Sequence, residues 1–208
     1  MKTLFIPAKS KLNFNPDLPA NLPKNIAIAY SIQYENQAKQ IKQKLSKTYN
    51  ITNFIQVLGC SPPSGGSRPI FSKNTQAILL ISNGRFHAIN LALETNLPIY
   101  ILEENKITLI SEQEIKKLKQ IKKSSYVNFL NSDKVGILIS TKPGQENLKK
   151  AISLKKQIKN KKSYLFIANN INVLEFDNFP DIQGWVNTAC PRLDFDARIV
   201  NLNKLYHA

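Results

Sequence analysis

Two residue types able to hold a soft metal are scarce in this sequence of 208 residues, which has two cysteines and two histidines. Cys190 stands in the run Val186-Asn187-Thr188-Ala189-Cys190-Pro191-Arg192-Leu193-Asp194-Phe195-Asp196, between a short apolar segment that predicts a strand and a proline that cannot continue a ladder. Cys60 repeats the arrangement, because Phe54-Ile55-Gln56-Val57 predicts a strand that Gly59, Pro62 and Pro63 bring to an end. Both thiols therefore follow a predicted strand at its carboxyl end, which is where open α/β sheets bind ligands. Two thiolates cannot close a four-thiolate site by themselves. On the residues alone a second reading stays open, in which both are buried reduced thiols of a cytosolic protein. The flanking glycine and prolines favour chemistry, since loop residues with special backbone geometry are there more often for function than for packing.

Three further groups merit the same weighing. Ser140-Thr141-Lys142-Pro143-Gly144-Gln145 joins a predicted strand to a predicted helix, so its N–H groups and the helix's positive end suit a carboxylate or phosphate. It lacks the Gly-x4-Gly-Lys-Ser/Thr spacing of a phosphate-cradling loop, and a plain turn with a capping threonine is the alternative. His87 follows Gly84 at a predicted helix start, where it is either a proton carrier or a capping and packing residue. Arg192 is able to fork onto a substrate carboxylate, or else to pair on the surface with Asp194 or Asp196.

The elements that must position these groups alternate. Residues 25–30 predict a strand, and Ala38, Ile41, Leu45 and Tyr49 recur at helical spacing after it. Residues 53–57 predict the next strand, and Ala77-Ile78-Leu79-Leu80-Ile81 is the continuous apolar run of a parallel strand covered on both faces. A helix through Leu93 and a strand at residues 98–102 complete a first unit. Ser111 with Glu114 makes a capping box for a lysine-rich helix that connects to a second unit. There residues 135–140, 163–168, 185–189 and 199–202 predict strands, and Leu148, Ala151, Ile152 and Ile158 mark a helix face. The expectation is α/β, as two similar three-layer αβα domains, each with a mostly parallel four-stranded sheet, with the metal site in a cleft between them. The domains expected are residues 25–132 and 133–208, behind a strand and proline-rich linker over residues 1–24. The strand at Thr3 to Ile6 is expected to add to the edge of a partner's sheet.

Composition narrows the classes. A 42% hydrophobic content is enough for a core, and no stretch approaches the roughly 18 to 20 apolar residues of a membrane span, which makes the cytoplasm the default location. The formal net charge of +15 admits a basic RNA-binding protein. However, Arg68, Arg85, Arg192 and Arg198 are the only arginines among 29 basic residues, and the lysines fall on helix faces without interleaved aromatics. That pattern reads as solvated surface rather than a nucleic-acid stripe.

Taken in order, QVLGCS at residues 56–61, ILISTKPGQ at 137–145 and VNTACPRLDFD at 186–196 resemble the family that starts diphthamide synthesis, 2-(3-amino-3-carboxypropyl)histidine synthase. The resemblance implies a 4Fe-4S cluster held by three cysteines from three α/β domains, Cys60 and Cys190 being two of them. It implies reductive cleavage of S-adenosyl-L-methionine, with electrons from an external donor. The 3-amino-3-carboxypropyl group then passes to a histidine of elongation factor 2. Ser140, Thr141, Lys142, Gly144 and Gln145 match a family motif near the substrate cleft. Gly84, Phe86 and His87 match a second one, although Ala88 stands where proline is often found. The similarity reaches only the second and third domains of the usual protein, so the third cysteine is expected on a separate polypeptide or another subunit. A non-catalytic accessory subunit of the same complex is the alternative that a missing cysteine raises.

Overall fold

The computed structural model describes residues 4, 6–16, 19, 22–57, 71–196 and 198–202, with Phe195 and Asp196 as backbone only. The chain divides into two compact units, residues 1–116 and 117–208.

In the first unit, β1 (Asn25–Tyr30), β2 (Asn50–Gln56), β3 (Ala77–Ile81), β4 (Ile99–Glu103) and β5 (Lys106–Leu109) form one sheet in the order β2-β1-β3-β4-β5. The first four are parallel and β5 returns antiparallel to β4. The apolar runs bury both faces by alternation. Ile26, Ile28, Leu79 and Ile81 point into one core with Ala38, Ile41 and Leu45 of α1 (Glu35–Leu45). Ala27, Ala29, Ile78 and Leu80 point into the other with Ala88, Leu91 and Ala92 of α2 (Phe86–Thr95). This is the expected αβα sandwich with one strand more than predicted. Lys106-Ile107-Thr108-Leu109 is short and half polar, and the tight turn before it rests on Glu104 at φ 56°, a conformation no turn residue signalled.

The proline-rich passage is not a bare linker. Phe14 and Leu22 are buried in the first core, Gln37 donates to the carbonyls of Ser10 and Leu12, and Lys9 pairs with Glu35. Apolar burial of two large side chains outweighs the chain entropy that a free tether would keep. Leu4 and Ile6 are exposed, and Thr3 and Phe5 lie outside the described residues.

In the second unit, β6 (Lys134–Ser140), β7 (Lys162–Ala168), β8 (Gly184–Asn187) and β9 (Ile199–Asn201) form a parallel sheet in the order β7-β6-β8-β9. Numbered within its own unit this is again 2-1-3-4. One face packs Val135, Ile137 and Ile139 on Ala151 and Leu154 of α4 (Leu148–Gln157) and on Phe129 of α3 (Glu112–Asn131). Ala151 and Ile158 face the core as expected, whereas Leu148 and Ile152 are about one third exposed and Leu154 is buried in their place. The other face carries no long helix. Phe166, Phe176 and Phe179 surround Trp185, with Phe176 stacked on the indole at 4.2 Å between centroids. The predicted Ser111 cap of α3 is present, its hydroxyl accepting from the Glu114 N–H. The connecting helix passes through the division between residues 116 and 117, where the sequence reading set the boundary after residue 132. Among the described residues no helix is long and apolar enough to cross a membrane.

Two predictions follow from this packing. A methyl group on Gly136 would overlap the six-membered ring of Trp185, so Gly136→Ala is expected to cost about 1–3 kcal/mol in urea unfolding and to perturb the near-ultraviolet signal of this single tryptophan. Glu35 is held down to about 2 from 4.5 by hydrogen bonds from Lys39 and Lys9. A depressed carboxylate contributes stability above its unfolded pKa and loses it as pH falls toward the folded value. Glu35→Gln is therefore expected to flatten the acid limb of stability between pH 4.5 and about 2, measured by unfolding across that range.

Candidate functional site

In each unit the strand order reverses between the first local strand and the third, and the carboxyl ends of two such strands are where open α/β sheets bind ligands. In the second unit these are β6 and β8, and the Ser140 and Cys190 loops both start there.

The Cys190 loop is built by amides. Asn187, the last residue of β8, is 2% exposed; its Nδ2 donates to the Cys190 carbonyl at 2.8 Å and its Oδ1 accepts from the Ala189 N–H at 2.9 Å. Asn201 is its register partner on β9, accepting from Asn187 Nδ2 at 2.6 Å and donating to the Pro191 carbonyl at 2.9 Å. Thr188 donates through its N–H and its hydroxyl to the Leu138 carbonyl, which locks the loop onto β6. Cys190 itself is half-buried, so its thiol is neither sealed in the core nor fully in water. After Pro191 a short helix, α5 (Leu193–Asp196), follows, and Lys122 of α3 pairs with the buried carboxylate of Asp194. Arg192 is exposed; Asp194 pairs with Lys122, and the Asp196 side chain, the other expected partner of Arg192, lies outside the described residues.

The Ser140 loop lies alongside. The Ser140 hydroxyl donates to the Asn169 carbonyl and accepts from the Lys142 N–H, and Thr141 N–H donates to Ala168. Gly144 holds φ 79°, where a side chain would be strained, and Gln145 N–H closes a turn on the Lys142 carbonyl. Asn147 precedes α4 without capping it. Its Nδ2 donates instead to the Thr188 carbonyl at 2.8 Å, which ties the Ser140 and Cys190 loops together. Asn147 thus gives the first N–H groups of α4 no side-chain cap. Sequence reasoning brought Ser140, Thr141, Lys142, Gly144, Gln145, Cys190 and Arg192 forward, and these share one end of the second sheet.

His87 belongs to the first unit. It sits in the first turn of α2, with Nδ1 3.1 Å from the hydroxyl of buried Ser82 at the end of β3. The turn before it has Gly84 at φ 89° with its N–H on Glu103, and Arg85 in a two-pronged bond to Glu114, which raises the guanidinium pKa further. Cys60 and the loop through Ser67 lie outside the described residues. Among the described residues no three His, Cys, Asp or Glu side chains gather to hold a metal.

The asparagines and Lys122 were missed from sequence. The available signal was a polar residue closing each of two apolar strands, Trp185-Val186-Asn187 and Ile199-Val200-Asn201.

A family model described as "Putative diphthamide synthesis protein" matches residues 1–200. Among known proteins, the chain is 26% identical to the 2-(3-amino-3-carboxypropyl)histidine synthase of Pyrococcus horikoshii over 93% of its own length and 60% of that protein's. It is 28% identical to the enzyme of the same name from Methanocaldococcus jannaschii, over 99% of its length and 60% of the relative's. The mouse protein named subunit 1 of that synthase is 23% identical over 89% of this chain and 42% of its own. The crystal structure of Dph2 from Pyrococcus horikoshii with a 4Fe-4S cluster superposes with a TM-score of 0.72 at 22% identity, covering 89% of this chain and 57% of the other. The chain thus spans about 60% of the length of the two archaeal relatives.

Removing the ammonium of Lys122 leaves the buried Asp194 carboxylate without its counter-charge. Lys122→Met is expected to lower stability by about 3–5 kcal/mol, and adding Asp194→Asn should restore much of it. Urea unfolding of the two variants checks both values.

Proposed function

Since the chain belongs to the diphthamide synthesis protein family, we propose that it forms the cluster-holding part of a 2-(3-amino-3-carboxypropyl)histidine synthase. That enzyme moves the 3-amino-3-carboxypropyl group of S-adenosyl-L-methionine to a histidine of elongation factor 2. Cys190 and Cys60 are two of the iron ligands, and the third comes from residues outside this sequence. The observation that carries the reading is the half-buried Cys190 thiol at the β6/β8 crevice, on a loop whose backbone is already fixed.

The donor set fits a cluster with an open iron. A soft thiolate at a strand exit is what such a group requires, and fewer than four protein thiolates leave one iron for an exogenous ligand. When bound, the cluster supplies the electron that cleaves a carbon–sulfur bond of S-adenosyl-L-methionine, which an external donor must replace. This chain's own residues bind and orient. Lys142, the Thr141 hydroxyl and the uncapped N-terminus of α4 offer positive charge and donors to the amino acid carboxylate, with Ser140, Gly144 and Gln145 shaping the turn. Arg192 offers a second, two-pronged anchor. His87, oriented through Ser82, is placed to hold or pass a proton in its own unit. The cytoplasm, where thiols stay reduced, is the compartment this reading calls for.

Anaerobic reconstitution with iron, sulfide and the polypeptide carrying the first domain tests the reading. The expected result is a stable iron–sulfur absorption that Cys60→Ala or Cys190→Ala removes, together with modification of elongation factor 2 that depends on both. A mixture that binds no iron overturns it. Full modification by the Cys60→Ala/Cys190→Ala double variant would instead establish a non-catalytic accessory subunit.

A further inference from the structure

We propose that Asn187 and Asn201 are positioning residues for the Cys190 thiol, a buried amide pair that orders the cysteine's backbone before any metal arrives. The effect on the thiol stands independently, while its consequence for iron rests on the function proposed above.

Hydrogen bonds hold three peptide units around the cysteine, those joining Thr188 to Ala189, Cys190 to Pro191 and Pro191 to Arg192. Ahead of it, the Ala189 N–H is held by Asn187 Oδ1. Behind it, the Cys190 carbonyl accepts from Asn187 Nδ2 and from the Leu193 N–H, and the Pro191 carbonyl accepts from Asn201 Nδ2 and the Asp194 N–H. The two side chains are joined to each other by the 2.6 Å bond between Asn187 Nδ2 and Asn201 Oδ1. Asn187 thereby uses both its donor hydrogens, and Asn201 links the far side of the loop to a neighbouring strand rather than to the loop itself. These bonds restrain the backbone that carries the thiol.

A purely structural role would ask less of these positions. Both residues occupy the last place in a strand, where their predecessors Val186 and Val200 are apolar and buried, and a hydrophobic pair there would extend the core. Placing two primary amides at 2% and 7% exposure is costly unless their bonds matter. All the loop partners of this pair are the residues next to Cys190. Partners behind a metal ligand commonly govern metal retention by roughly 10–100-fold.

The test reads the thiol directly. In the 208-residue chain carrying Cys60→Ser, so that one thiol reports, the rate of alkylation of Cys190 by iodoacetamide is measured for Asn187→Ala, Asn201→Ala and Asn201→Leu. The last keeps the size and adds no charge but loses the donor to Pro191 and the acceptor for Asn187. Each is expected to alkylate severalfold faster, and the double alanine variant no faster than the quicker single one, as members of one relay should behave. Val135→Ala is the control: it trims a buried side chain of the same sheet whose cluster holds no residue of the Cys190 loop, and should lower the urea midpoint while leaving the alkylation rate unchanged. In protein that keeps Cys60, reconstituted with iron, sulfide and the first-domain polypeptide, Asn201→Leu should shorten the half-life of the cluster against a chelator about tenfold.

Wild-type alkylation rates in Asn201→Leu and Asn201→Ala, or an equal acceleration in Val135→Ala, would show that the amides only fill the core. If Asn201→Ala does not fold, Asn201→Leu decides the comparison. Failure of the wild-type protein to take up iron would count against the proposed function and leave the alkylation result standing.

Discussion

A parallel sheet satisfies its own backbone only as far as its strands run, and the region around Cys190 is organised by how that shortfall is met. Beyond Asn187 no strand continues, yet the chain is still half-buried there. Side chains replace the missing ladder: Thr188 reaches the Leu138 carbonyl, Asn147 reaches Thr188, and Asn187 and Asn201 take up the peptides around the cysteine. Unsatisfied groups at this depth would each cost on the order of 1–3 kcal/mol, so the identity of these residues is set by the backbone they serve.

The first unit meets the same constraint differently. Its strands follow the same 2-1-3-4 order, and the Ser31 N–H at the exit of β1 bonds to the Ile81 carbonyl, while Val57 bonds to Tyr30. Past β3 the chain turns at once into α2, and the turn is held by charge: Glu103 takes the Gly84 N–H and Glu114 takes the Arg85 guanidinium. His87, in the first turn of that helix, meets the Ser82 hydroxyl at the end of β3. Two units of one topology thus carry different chemistry, because the residues after each strand differ.

What was legible in the sequence had local causes. Ala77-Ile78-Leu79-Leu80-Ile81 reads as a two-faced strand because each alternate residue meets a different core, and Ser111 with Glu114 reads as a helix start because the bond spans three residues. The strand exits at Ser140 and Cys190 were legible for the same reason, since a proline or glycine marks each. What was not legible depended on distance. The Lys122–Asp194 pair joins residues 72 positions apart, and the Asn187–Asn201 bond arises only once β8 and β9 are in register. Residues 169–183, which cover one face of the second sheet in place of a helix, have no period to read, and only the packing of Phe176 and Phe179 on Trp185 reveals their place.

The chemistry of the supporting groups also separates by charge. Where position alone is needed, next to the thiol, the structure uses amides and hydroxyls, which carry no net charge and do not titrate between acid and neutral pH. A lysine at Asn201 would have drawn a thiolate or an anionic cluster toward itself, and an aspartate would have opposed it at close range. Charges are kept one step away and balanced, as Lys122 with Asp194. Lys142, half-exposed, and Arg192, exposed, stand in the two loops that leave β6 and β8. On the function proposed above, a neutral inner frame with these cations outside it would let one strand exit hold a soft anionic ligand set and still attract an anionic substrate.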